Sequence, residues 1–423
     1  MDYKKTILAN GVRILTSEMP HMRSLATTVY VKAGSRYETE KINGISHFLE
    51  HMLFKGTKKY PGQADIARAI EGVGGQLNAW TDQDHTAYWN LLPFEFAKRG
   101  FEVLGEMVFS SLLEKEAIDR ERGVIVEEIN RRYDDPPSHV YELLIGLMWP
   151  DQPLGWPIVG SKNNIQNIKR KDFISYLNSF YQGNSIVISV AGNITHQKVV
   201  DGFGSIFGKA TNGKILVSKK AYEVQKEPKK SVYFKQTDQA HLALGVRGFG
   251  NTDPDRYTWN LLNCILGQGM SSRLFLKIRE EKGLAYHISS HIESYEDTGA
   301  LIVHAGLNLG KLEEAIEGVI KEFKLLRDVI VRPDELQKAK DYLKGAISLS
   351  MDDTDSVSGW FGRQELLMPE VLTADQVIKK IESVTAEDVM RVAKRIFINK
   401  NLNLAIVAPL KDGNKLQSLL DMD

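Results

Sequence analysis

Thr27, Val29 and Val31 recur at a period of two, an alternating run that predicts a strand. Ile45 to Phe54 changes to a helical period. A second helix is predicted from Ala64 to Glu71, ended by Gly72-Val73-Gly74-Gly75, a run suited to a C-cap and turn. Two strands follow, 76–81 and 86–92, joined by the polar turn Asp82-Gln83-Asp84. Long helical patterns then cover 94–112 and 115–132.

About 215 residues later the same order returns. A strand at 241–246, helical stretches at 255–266 and 271–281, strands at 285–292 and 298–305 and helices at 310–328 and 333–350 match the first series. The closing strands 185–190 and 402–407 also correspond. A repeat of this length is a duplicated domain rather than a solenoid. It predicts an α+β fold of two similar halves, each a mainly antiparallel sheet packed with helices, facing each other across a cleft where a ligand would sit. The expected division is 1–212, a linker at 213–230, and 231–423. The linker holds Lys214, Lys219, Lys220, Lys226, Lys229, Lys230 and Pro228, and it reads as a solvated connection.

Composition narrows the function classes. The chain has 423 residues, enough for two cores, with 43% hydrophobic and 26% charged residues, as a folded protein requires. Lys+Arg and Asp+Glu both number 54, so no net field draws the chain to nucleic acid or an anionic membrane, and neither is an expected partner. No apolar stretch is long enough to span a bilayer. Cys264 is the sole cysteine, which excludes an intramolecular disulfide and a cysteine-rich metal site. The opening Met1-Asp2-Tyr3-Lys4-Lys5-Thr6-Ile7 lacks an apolar signal region, and the expected location is cytoplasmic.

The chemistry concentrates in His47-Phe48-Leu49-Glu50-His51, within the first predicted helix. Residues at i and i+4 stand one above the other, so His47 and His51 can both reach one zinc ion. Glu50 falls on the flank of that face, near enough to touch a water on the metal. A catalytic zinc needs a third protein ligand. In the helix at 115–132, Ile118, Ile125 and Ile129 form an apolar stripe; Glu121 and Glu128 fall on or beside it, and Glu127 points away. A carboxylate on a buried face is costly unless paired or metal-bound, so Glu121 or Glu128 is the better candidate and the helical period leaves both open.

The pentad, followed after 76 intervening residues by Glu128, resembles the pitrilysin/insulinase family of zinc peptidases, in particular its mitochondrial-processing-peptidase-like branch. The likeness extends over most of the chain: Leu8 to Ile14, Pro153 to Gly160, Ser272-Arg273-Leu274-Phe275 and Arg279 to Tyr286 are similar to family segments. The resemblance implies one zinc per chain held by His47, His51 and Glu128, with Glu50 as general base. It implies that Glu121 orients a ligand, and that Arg279 and Tyr286 from the second half complete the site. Strand residues Leu77, Asn78 and Ala79 match the family's edge strand, to which an extended peptide adds by main-chain hydrogen bonds. The heterodimeric members divide zinc and a glycine-rich loop between subunits. Here the zinc set and the Arg/Tyr pair share one chain and the loop is shortened to Gly267-Gln268-Gly269, which favours a self-sufficient bacterial-type metalloendopeptidase acting as a homodimer. The rivals are a non-catalytic scaffold subunit of the same fold and another zinc hydrolase using the same triad. His85 is read as structural, His287 and His291 as strand residues whose i, i+4 spacing makes no chelate, and Cys264 as core.

Overall fold

In the computed structural model of the protein, residues 2–208, 210–213, 217–411 and 413–423 are described, and Lys214 of the predicted linker lies outside them. The chain divides into two compact units. One comprises Met1–Asn130, Trp156–Lys219 and Ser348–Ala374; the other comprises Arg131–Gly155, Lys220–Ile347 and Asp375–Asp423.

The first unit is built on a six-stranded sheet of β1 (Lys4–Ile7), β2 (Arg13–Glu18), β3 (Ser24–Val31), β4 (Gln76–Thr81), β5 (Thr86–Pro93) and β6 (Ile186–Gly192). The spatial order is β1-β2-β6-β3-β5-β4. Only β2 and β6 run parallel; the other neighbours are antiparallel. Helices α1 (Ile45–Leu53), α2 (Gln63–Glu71), α3 (Ala97–Ser110) and α4 (Lys115–Asp134) supply apolar faces to one side of this sheet. Phe48, Leu49 and Met52 of α1 join Leu104 and Met107 of α3 and Ile125 and Ile129 of α4 in a single buried cluster. Phe48 meets Phe173 edge-on at 4.9 Å between ring centroids. The opposite face is closed by the helix Thr354–Leu367, whose Val357 and Phe361 pack with Tyr30, Val187 and Ala191. That helix can lie so close because Gly362 has no side chain: a Cβ there would meet the Tyr30 ring at 2.4 Å.

The second unit has a five-stranded sheet of β7 (Lys229–Phe234), β8 (Ala240–Arg247), β9 (Ala285–Ser294), β10 (Gly299–Leu307) and β11 (Leu402–Ala408). Its order, β7-β11-β8-β10-β9, repeats β2-β6-β3-β5-β4, and its one parallel pair, β7 with β11, falls at the same place. The duplication read from the sequence is therefore present in topology as well as in element order. Helix α5 (Pro136–Met148) covers one face of this sheet, with Leu144 and Met148 against Ala243, Ile302 and Val407.

The repeat and the compact units divide the chain at different places. Helix α5 lies within 1–212 yet belongs to the second unit, and Thr354–Leu367 lies within 231–423 yet closes the first sheet. Such an exchange is invisible to periodicity, which records that a helix has an apolar stripe and not which sheet receives it. Two local readings also change. Lys229 and Lys230 of the predicted linker are half-buried strand residues of β7. The helix expected at 271–281 is a short π-helical turn, Phe275–Glu280, in which Glu281 N–H donates to Leu276 O at 2.9 Å. The wider turn buries Ile278 against Gly318, where any larger residue would collide with it. Among the described residues no helix is long and apolar enough to cross a membrane.

Candidate metal centre

Helix α1 begins at Gly44, where φ is +101° and a Cβ would lie 2.9 Å from the Gly160 Cα. Glycine satisfies both demands, a left-handed backbone and a close approach. From that start, His47 lies in the first turn and His51 one turn on, with ring centroids 4.6 Å apart. Helix α4 presents Glu121 and Glu128 toward them. Glu128 Oε2 stands 3.5 Å from His47 Nε2 and 3.8 Å from His51 Nε2. One donor atom from each of the three residues lies within 4.8 Å of the others. Glu127 is exposed, as the helical period predicts.

These donors fit a tetrahedral ion. Bonds of about 2.0–2.1 Å at tetrahedral angles place ligand atoms about 3.4 Å apart, and both measured separations involving Glu128 are within half an ångström of that. Two imidazoles and one carboxylate also leave a fourth position open, the arrangement of catalytic rather than structural zinc. The tautomer needed at His51 is fixed by its other nitrogen. Nδ1–H donates to Glu121 Oε1 at 2.8 Å, which leaves the Nε2 lone pair facing the Glu128 side. Burial alone would raise the Glu121 carboxyl, but the hydrogen bonds from His51 and Lys55 prevail and hold it below the usual range. Lys55 Nζ lies 2.7 Å from the second Glu121 oxygen, so that anion is compensated on both sides. Glu121 and Glu128, left as alternatives by the helical period, thus take different places: one supports an imidazole from behind and the other lies among the donor atoms.

Glu50 faces the strands. Thr81, the last residue of β4, donates its hydroxyl to Glu50 Oε2 at 2.6 Å. Burial pushes the Glu50 carboxyl up, against the pull of the Thr81 hydrogen bond and of His51, and Glu128 raises it further. The general-base candidate is therefore oriented and its proton affinity increased. Strand β4 is the outer strand of its sheet, and among the described residues Leu77, Asn78 and Ala79 pair on one side only, with Asn90, Trp89 and Tyr88 of β5. Behind β4, Trp80 Nε1–H donates to His85 Nε2 at 3.3 Å, and burial pushes His85 down to about 4, so it accepts as a neutral ring. Arg279 and Tyr286 belong to the second unit. The Arg279 guanidinium stacks over Phe275 at 4.7 Å from the ring centroid, and Tyr286 is 78% exposed on β9. Cys264 is buried, and burial pushes its thiol up to about 11, which makes it a poor nucleophile.

Sequence reasoning missed Thr81 and Lys55. Lys55 had one available signal, its i+4 spacing from His51; Thr81 had none, because a strand-end hydroxyl becomes informative only once a helix is placed across it.

A two-sheet α+β fold with two histidines of one helix and a glutamate of another gathered at one point defines a narrow class of proteins. The chain belongs to the insulinase family (peptidase family M16): that family's model matches residues 13–162, and the model described as the peptidase M16 inactive domain matches 167–343. It is 36% identical to the uncharacterized zinc protease YmxG of Bacillus subtilis, over 96% of this chain and 98% of the relative. The fold is similar to a protease from Helicobacter pylori, with TM-score 0.90 and 23% identity over 96% of this chain and 99% of that one. It is also similar to a chain of Complex III2 from Candida albicans, with TM-score 0.84 and 19% identity over 99% of each chain.

Proposed function

We propose that the protein is a zinc-dependent metalloendopeptidase that hydrolyses extended peptides or unfolded segments. The observation that carries this is the convergence of His47, His51 and Glu128 donor atoms beside an oriented, half-buried Glu50. When bound, zinc would polarise the scissile carbonyl and lower the pKa of its water ligand toward about 7. The chain's own residues supply the rest. With Oε2 engaged by Thr81, Glu50 Oε1 takes the proton of the attacking water and later delivers it to the leaving amine. Glu121 holds the His51 ring in the tautomer that keeps Nε2 unprotonated. The outer edge of β4 offers main-chain N–H and C=O groups to an extended substrate, a nearly sequence-blind mode that suits broad specificity. Arg279 and Tyr286 are assigned as hydrogen-bond donors to the tetrahedral oxyanion, and a homodimer in the cytoplasm as the working form.

The relatives' names support the protease assignment; a matched domain described as inactive and the likeness to a Complex III2 chain support a scaffold of the same fold instead. A scaffold needs neither a complete donor set nor a half-buried base tied to Thr81. Glu50→Gln decides. The variant is expected to keep its zinc and lose nearly all hydrolysis of a fluorogenic peptide, whereas wild-type turnover in the variant would remove Glu50 as base, and a zinc-loaded wild type inert toward every peptide offered would favour the scaffold.

A further inference from the structure

Helix α1 spans Ile45–Leu53, nine residues, too short to hold its shape by its own hydrogen bonds. Its first-turn N–H groups need acceptors, and the usual source is a Ser, Thr, Asp or Asn side chain at the N-cap. Here the N-cap is Gly44, which has no side chain, and the contact with Gly160 forbids one. The acceptor comes instead from the loop six residues upstream. Glu38 Oε2 accepts from Gly44 N–H at 2.8 Å and from Asn43 Nδ2 at 2.9 Å. Glu38 Oε1 accepts from Ser46 N–H at 2.8 Å and from the Ser46 hydroxyl at 2.6 Å. Since that hydroxyl spends its proton on Glu38, the Tyr176 hydroxyl, 2.7 Å away, must donate to Ser46 Oγ.

All four donors to Glu38 are uncharged, both of its oxygens are filled, and the side chain is buried. A protonated carboxyl would point its own O–H at another donor, so the arrangement calls for the anion. A negative charge at a helix N-terminus is favoured by the helix dipole, yet burial still pushes this carboxyl up to about 7. A local serine or threonine cap would hold the turn without burying a charge. What Glu38 adds is a second attachment: by binding Gly44 and Ser46 together it fixes the rotation of α1 about its axis, as well as where the helix starts. His47 is the next residue after Ser46.

We propose that Glu38 is a positioning residue for the metal centre, setting the azimuth of α1 so that the imidazoles of His47 and His51 point to the place where Glu128 meets them. This rests on the zinc-peptidase assignment for the identity of the metal, but its test reads zinc binding and not turnover. Donor sets of this kind must be held to within about half an ångström, so a small rotation of α1 is enough to weaken them.

The test measures the zinc dissociation constant of apo wild type, Glu38→Gln and Glu38→Asp by competition with a chromophoric chelator at pH 8. The temperature is set where circular dichroism shows each protein folded. In Glu38→Gln the amide NH2 faces two donors, and zinc is expected to bind about 10- to 100-fold more weakly. Glu38→Asp keeps the charge but falls short of one partner, and should lie between the two. If Glu38 were only a structural cap, the Gln variant would melt earlier while its folded form bound zinc as wild type does; that result overturns the proposal. Should Glu38→Gln fail to fold, Ser46→Ala removes one of the four donors. A several-fold weaker zinc affinity in that folded variant supports the proposal, and an unchanged one refutes it. A wild type without zinc affinity would overturn this inference together with the peptidase assignment, whereas a zinc-binding wild type matched by its variants would overturn this inference alone.

Discussion

Thr81→Val exchanges a hydroxyl for a methyl group at nearly constant volume and so isolates one hydrogen bond. Thr81 Oγ1 donates to Glu50 Oε2 across 2.6 Å, a short bond to a partly buried carboxylate. Hydrogen bonds to charged groups contribute about 1.5–3 kcal/mol net, and at about 1.4 kcal/mol per tenfold this corresponds to about a 10- to 100-fold loss if the bond mainly serves to aim Glu50 in the transition state. The loss should fall on kcat. KM should change little, because peptide addition at the β4 edge uses main-chain groups that the substitution leaves in place, and zinc content should stay the same, because no donor atom is touched. Initial rates on a fluorogenic peptide across a concentration series, with metal measured by atomic absorption on the same samples, separate these effects. Thr81→Ser retains the hydroxyl and should restore most of kcat. A valine variant within twofold of the wild-type kcat, or a serine variant no better than valine, would show that Glu50 is aimed by something other than Thr81.

Two further outcomes follow from the same geometry. Glu121→Gln leaves His51 with a weaker acceptor and Lys55 without its anion, and zinc affinity is expected to fall about 10- to 100-fold; equilibrium dialysis that finds wild-type affinity would remove Glu121 from the centre. Glu38 also gives the apo protein a pH signature. Its folded-state value, about 7, lies above the ordinary 4.5, because its four hydrogen bonds only partly offset the cost of burying the anion; folding is therefore favoured most below pH 4.5 and weakens by roughly 3 kcal/mol as pH rises through about 7 and the buried carboxyl ionises. The gap in unfolding midpoint between zinc-free wild type and Glu38→Gln should therefore shift in favour of the Gln variant as pH rises through this window, and a pH-independent gap would show that Glu38 does not titrate there.

Most of the element order was legible because it depends on local periodicity. Strands β4 and β9, helices α1 and α4, and the helix Pro333–Ser350 fall within a few residues of their predicted bounds. Helix α5, the helix Thr354–Leu367 and the short strands β1, β2 and β7 were not singled out; Lys4 and Lys5 of β1 and Lys229 and Lys230 of β7 break the apolar alternation that marks a strand. The π-helical turn at Phe275–Glu280 was read as ordinary helix, because one extra residue in a turn leaves no clear mark in a short pattern.

At the candidate site, the sequence determined that His47 and His51 share a helical face, since a period of 3.6 residues leaves no freedom in that, and that Glu121 and Glu128 share the buried side of their helix. It could not decide which carboxylate meets the imidazoles. That depends on the crossing of α1 and α4, which is set by how Phe48, Leu49 and Met52 pack with Ile125 and Ile129. Nor could it place Thr81 beside Glu50, Lys55 on Glu121 or Glu38 on the first turn of α1, because each pairing joins segments whose distance in space is unrelated to their distance along the chain. Local periodicity chose the side chains that can do the chemistry, and packing chose the atoms they meet.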